Sequence, residues 1–143
     1  MLQTILAIHA ASALFMVGLI WFVQVVHYPL MQSVGAANYS SYQEAHMLRT
    51  GYVVGPVMLT EALCAVALVS MPSSLPPELT GLGLLALGIV WISTVSQQVP
   101  RHRALLEAFD EGLHRSLVQS NWIRTFFWTL RGGLAMWLLA LNV

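Results

Sequence analysis

The residues with chemistry to offer are few, and most sit at the ends of apolar runs. His27, His46 and His102 can bind or pass protons near neutral pH, and histidine is the commonest metal ligand. Around them stand Gln24, Tyr28, Gln98, Asn121 and Arg124, all able to hydrogen-bond. Deeper in the apolar sequence lie Glu61 and Arg131, with Trp128 between Arg124 and Arg131 and placed to stack on either. A charge inside a bilayer costs about 2.5–3.5 kcal/mol on insertion scales, so Glu61 and Arg131 are expected either to pair or to leave Glu61 neutral with Arg131 bound to carbonyls and water, and His9 can join them.

Other chemistries are excluded. The single cysteine, Cys64, rules out an intramolecular disulfide and a cysteine-based zinc framework. Ser93, Thr94 and Ser96 have no base nearby in sequence, so no activated nucleophile is evident. The glycines follow no strand and so do not make a nucleotide loop. The formal net charge is zero and there is no basic tract, so nucleic acid is not an expected partner.

The elements that position these residues follow from composition. The chain is 57% hydrophobic and 8% charged, with a mean hydropathy of +0.71. That composition suits lipid as solvent. No Asp, Glu, Lys or Arg occurs from Met1 to Gln43, Glu61 is the only charge from Thr50 to Pro77, Leu79 to Pro100 has none, and Thr125 to Val143 carries only Arg131. Each run spans the roughly 20 residues that cross ~30 Å of hydrocarbon as a helix, and strand alternation is absent.

The expectation is an all-α integral membrane protein: one domain, 1–143, forming an up-down-up-down four-helix bundle with helical extensions on the cytoplasmic side. The helices are placed at about 2–28, 38–71, 78–110 and 113–141. Tyr28-Pro29 should end the first, and Asn38 or Ser40 should cap the second. Gly55-Pro56 can kink the second, Pro100 can kink or break the third, and Gly112 punctuates the next segment. Pro72, Pro76 and Pro77 make a tight outer loop.

All six basic residues are arginines; Arg49, Arg101, Arg103, Arg115 and Arg124 flank the first and third connections. The positive-inside rule then places both termini outside the cytoplasm of a multi-pass protein in the inner (plasma) membrane. Ala11-Ser12-Ala13 has the look of a cleavage site, but the apolar run continues to Val26 without a positive n-region, so a retained helix is expected. The lipid bilayer is the expected surrounding, and a homo-oligomer stays open.

Depth and phase draw the polar residues together. With His27, Thr50, Val99 and Asn121 taken as level, His46 and His102 lie only ~6 Å above that plane at 1.5 Å per residue. His9, Ser12, Met16, Ile20, Gln24 and His27 share one side of the first helix at ~100° per residue. Asn121, Arg124, Thr125, Trp128 and Arg131 form a stripe on the last. His114 is expected to face solvent on the cytoplasmic cap. Convergence of His27, His46 and His102 would suit zinc, copper or iron, whereas Glu61 lies some 20 Å from His46 along an ideal helix and cannot share that ion. Haem through two axial histidines is the weaker fit, because so small a bundle must make room for it.

The segment Gln98-Val99-Pro100-Arg101-His102, followed by Leu105 and by Asn121-Trp122-Ile123-Arg124-Thr125, resembles the Asn-x-Pro-x-Asn and Asn-x-x-Arg signature of small four-helix membrane proteins related to the anthrone oxygenases. Tyr28-Pro29, and Pro56 with Glu61 five residues on, are similar to bacterial members. The resemblance implies a four-helix membrane fold and, from fungal members, oxidation of anthrones to anthraquinones; most bacterial relatives have no known activity. Gln98 and His102 stand where the fungal pattern has asparagines, so the extra imidazole suits a metal or an altered substrate.

The leading expectation is a membrane-embedded oxidoreductase-like or ligand-binding protein acting on a small hydrophobic, quinone- or anthrone-like molecule at the cytoplasmic boundary. His27, His46 and His102 would bind metal or handle protons, with Glu61, Arg124 and Arg131 as further catalytic candidates. Gln24, Tyr28, Gln98, Asn121 and Trp128 would hold the substrate. The alternative is a small transporter or proton or ion pathway, running from His9 through Glu61 to His27, or an accessory subunit of a membrane complex.

Overall fold

The computed structural model describes residues 1–71 and 75–142. Four long helices carry nearly all of them: α1 Leu2–Val34, α2 Ala36–Ser70, α3 Pro77–Glu107 and α4 Glu111–Ala140. No strand occurs among the described residues. α1 packs against α2 and α4, α4 against α3, and α2 against α3. This is the expected all-α bundle. Three helices, α1, α2 and α3, are long and apolar enough to cross a membrane. α4, expected as the fourth, is not among them: its first turns are polar and it carries Arg124 and Arg131.

The bundle has its polar residues inside and its large apolar residues outside. Glu61, Gln43, Gln98, Asn121 and Arg131 are buried, whereas Phe22, Leu63, Leu85, Ile92 and Phe126 are exposed. Such an outer surface is solvated by lipid tails, and the buried polar groups must then satisfy one another. Between the ends of the bundle, Met16, Ile20, Met58, Val90 and Trp128 form a packed apolar cluster. α1 and α4 approach closely at Gly132, where an added Cβ would lie 2.8 Å from Val17 Cγ2.

Several expected boundaries move. α1 does not stop at Tyr28-Pro29, because a π-helical turn at Val23–His27 widens the helix just before the proline. The wider turn absorbs a ring that lacks an N–H and would otherwise strike the carbonyl one turn back. The same device recurs in α3, where a π-turn at Thr94–Gln98 precedes Pro100 and the helix continues, so of the kink or break expected there the break does not occur. α2 begins directly after Gly35, with no side-chain cap from Asn38 or Ser40, and runs unbroken through Pro56. Gly35 makes the turn possible with a φ of 81°, which side-chain-bearing residues rarely adopt.

The break before α4 falls at Ala108–Asp110, with Gly112 inside the helix. There Asp110 caps α4 by accepting from the Leu113 N–H at 2.6 Å. The expected outer loop lies partly outside the described residues, at Pro72; Pro77 starts α3.

Candidate binding site in the helix belt

The two π-turns re-aim the polar residues around them. Gln24, within the first, is buried and accepts from Asn121 Nδ2 at 2.9 Å while donating to the Val118 carbonyl at 3.2 Å. Gln98, within the second, is buried and donates to Ser120 Oγ at 2.9 Å. Both glutamines therefore tie their helices to α4. π-turns recur at functional sites for this reason: one extra residue changes which side chains face inward.

The three histidines of the belt do converge. His27 Nε2 and His46 Nδ1 are 2.9 Å apart, and the His46 and His102 rings lie 5.2 Å apart, centroid to centroid. The hydrogen bonds of His102 define its tautomer. Gln43 Nε2 lies 3.0 Å from the His102 carbonyl oxygen. That oxygen only accepts, so the amide nitrogen of Gln43 faces it. The same nitrogen is 2.7 Å from His102 Nδ1, which must therefore accept as well. The proton of the neutral ring sits on Nε2, directed to the Tyr28 hydroxyl oxygen at 2.9 Å. Tyr28 in turn donates to Gln98 Oε1 at 3.4 Å, and Ser120 donates onward to the Leu117 carbonyl at 3.1 Å. The result is an ordered chain running from Gln43 through His102, Tyr28 and Gln98 to Ser120.

Beside this chain is a cavity of about 240 Å³. Met16, Leu19, Ile20, Val23 and Val54 give it apolar walls, and Tyr28, His46, Thr50, Gln98, His102 and Arg124 give it a polar end. All four helices contribute. Gly51 and Gly55 also line it, and a Cβ added at either would meet nothing within 4 Å. A shallower groove along α1 and α2 shares Leu19, Val23, His46, Thr50 and Val54 with the cavity, so His46 stands in the wall between the two.

Glu61 and Arg131 form a separate group deeper in the bundle. Arg131 Nε donates to Glu61 Oε1 at 2.7 Å, and the two side chains are 1% and 0% exposed. Arg131 also donates to the Gly83 carbonyl, and its Nη2 lies 3.2 Å from His9 Nε2. Trp128 Nε1 donates to the other carboxylate oxygen at 3.1 Å. One residue or more from each helix meets here, with Glu61 and Arg131 paired and His9 joining them. Trp128 links the two groups, because Arg124 stacks over its ring with the guanidinium carbon 5.0 Å from the centroid.

The metal expectation meets a limited donor set. His27 Nε2 and His46 Nδ1 face each other, but both nitrogens of His102 are engaged by Gln43 and Tyr28. No group of three or more His, Cys, Asp or Glu side chains suited to a metal occurs among the described residues. Gln43 and Ser120 are missing from the sequence reading, and His114 is misplaced in it. His114 is buried, not solvent-facing, and its Nε2 donates to the Tyr28 carbonyl at 2.9 Å.

The signals for these residues were present. Gln43 precedes His46 by three positions and so shares its helix face. His114 and Leu117 extend the stripe Asn121, Arg124, Trp128 backward by two turns. No protein family, curated protein or solved structure matches the chain.

Proposed function

We propose that this chain binds a small hydrophobic, quinone- or anthrone-like molecule within the membrane and handles protons on its oxygens, in an oxidoreductase-like role. The observation that carries this reading is the cavity whose apolar walls end at the ordered Tyr28–His102 pair. A flat apolar molecule reaches such a site from lipid, loses little solvation on arrival, and places an oxygen against the few polar groups that fix its orientation. Tyr28 then gives its proton to that oxygen, and the Nε2–H of His102 stabilises the phenolate left behind. The resemblance to anthrone oxygenase relatives points to the same substrate class.

In this reading all four helices cross the inner (plasma) membrane, with the arginine-rich connections in the cytoplasm and both termini opposite. α4 completes the bundle despite Arg131, because that charge is neutralised by Glu61 inside. A continuous proton or ion pathway is the weaker reading, since the packed cluster of Met16, Ile20, Met58, Val90 and Trp128 lies in the bundle interior and Trp128 joins the two polar groups by stacking and one N–H bond. His27 and His46 together offer a zinc, copper or iron ion two nitrogens, so a metal at the wall of the cavity is the variant to test alongside.

The experiment is a titration of the detergent-purified chain with 1,4-naphthoquinone, followed by tryptophan fluorescence, with elemental analysis of the same sample. Saturable quenching that weakens roughly tenfold in Tyr28→Phe is expected, a loss of about 1.4 kcal/mol. Absence of saturable binding in the wild type removes the reading. Stoichiometric metal lost in His27→Ala supports the metal variant.

A further inference from the structure

Charge balance inside the bundle singles out Arg124. It is buried, at 8% exposure, and its Nε has no partner. Of the six acidic residues, Glu61 alone is buried, and Arg131 occupies it. Glu44, Glu78, Glu107, Asp110 and Glu111 are all exposed. Arg124 is thus a buried guanidinium without a carboxylate among the described residues, and it borders the cavity. A guanidinium keeps its charge at every accessible pH and presents planar donors matched to oxygen anions. Its placement is also fixed, because Arg124 lies over the Trp128 ring and the Trp128 indole is itself held by Glu61.

We infer that, within the binding reading above, the cavity accepts a ligand carrying one ionised oxygen on an apolar body, and that Arg124 pairs with this oxygen. The ligand supplies the counter-charge that the chain lacks. An ionised phenol or enol on an aromatic body and the carboxylate of an alkyl chain share this chemistry. In both, the apolar part lies along Met16, Leu19, Ile20, Val23 and Val54. The Tyr28 hydroxyl, whose 3.4 Å bond to Gln98 is long, can turn to the same oxygen as a second donor.

The test compares an ionisable ligand with its O-methyl ether, which cannot ionise, using the full chain in mild detergent. At neutral pH 2-hydroxy-1,4-naphthoquinone is ionised and 2-methoxy-1,4-naphthoquinone is neutral. The wild type should prefer the first by roughly 10- to 100-fold, the range of a charge-assisted hydrogen bond. Arg124→Gln should erase that preference while the methoxy compound still binds, and Arg124→Lys should keep part of it. Should Arg124→Gln fail to fold, the wild-type preference must still vanish as pH falls below the ionisation of the ligand's hydroxyl.

Equal affinity of the two compounds for the wild type, or a preference that survives Arg124→Gln, overturns the inference and leaves the cavity as a neutral-quinone site. Binding of neither compound removes the binding reading, and this inference with it. Decanoate against decanol identifies the source: a preference for decanoate extends the site to alkyl carboxylates, and a preference seen only with the naphthoquinone assigns it to aromatic oxygens.

Discussion

Replacing Glu61 by Leu should be the most damaging single change in the bundle, and replacing Arg131 by Met in addition should undo most of the damage. Glu61 accepts from Arg131 Nε at 2.7 Å and from Trp128 Nε1 at 3.1 Å, at 0% exposure. Removing it leaves a buried guanidinium without its anion, and breaking a buried pair from one side costs about 3–5 kcal/mol. It also strands the Trp128 N–H, which adds about 1–3 kcal/mol.

The double variant carries no buried charge at this position and keeps similar volume, so only the penalties of the unpaired indole N–H and of His9 Nε2, which loses Arg131, should remain. A third change, Trp128→Phe, exchanges the indole penalty for a smaller packing loss. The assay is unfolding of the detergent-solubilised chain with increasing sodium dodecyl sulfate, followed by circular dichroism and analysed as a double-mutant cycle. A Glu61→Leu cost below about 1 kcal/mol, or a double variant no more stable than Glu61→Leu alone, would refute this account of the buried Glu61–Arg131 pair.

Further outcomes follow from the same geometry. Gln43→Leu should free the His102 tautomer: nitrogen chemical shifts of the imidazole, which in the wild type report the proton on Nε2 alone, should become a mixture, with a stability loss of about 1–3 kcal/mol. Gly132→Ala should cost about 1–3 kcal/mol by forcing α4 against the stiff Val17 side chain, and Val17→Ala should rescue it, both read from thermal unfolding.

His114 lies in the polar first turns of α4, outside the spanning segments, and burial pushes its pKa below the ordinary value while its bond to the Tyr28 carbonyl pulls the other way. The unfolded chain therefore takes up this proton first as pH falls. The stability His114 contributes is present above about 6.5 and is lost as pH drops toward its folded value. His114→Gln, which keeps a donor, should flatten this part of the pH dependence between neutral and mildly acidic unfolding measurements. An unchanged slope contradicts it.

Much of the bundle was legible without coordinates. Uncharged runs of membrane-spanning length define helices by themselves, because lipid leaves the backbone no other partner. The cost of leaving either charge alone narrowed Glu61 and Arg131 to a mutual pair or a neutral Glu61, and the structure has the pair; the inward stripe on α1 followed from the helical period. Boundaries were harder. Pro29 signals a stop and Pro100 a kink or a break, yet α1 and α3 continue past them with π-turns beside both prolines. The burial of His114 depends on α4 folding back against the Tyr28 carbonyl, which a charged neighbour such as Arg115 conceals in sequence.

For the site, the sequence by itself determined which groups lie at one depth: His27, His46, His102, Gln98, Asn121 and Arg124 share a level because helical rise is fixed. Only the tertiary structure decided how they divide. It ties both nitrogens of His102 to Gln43 and Tyr28, faces His27 toward His46, and leaves Arg124 at the cavity with no carboxylate. Depth is a property of one helix and can be counted along the chain. Partnership depends on the rotation and separation of four helices, and those are set by packing contacts such as Gly132 against Val17 that no single helix contains.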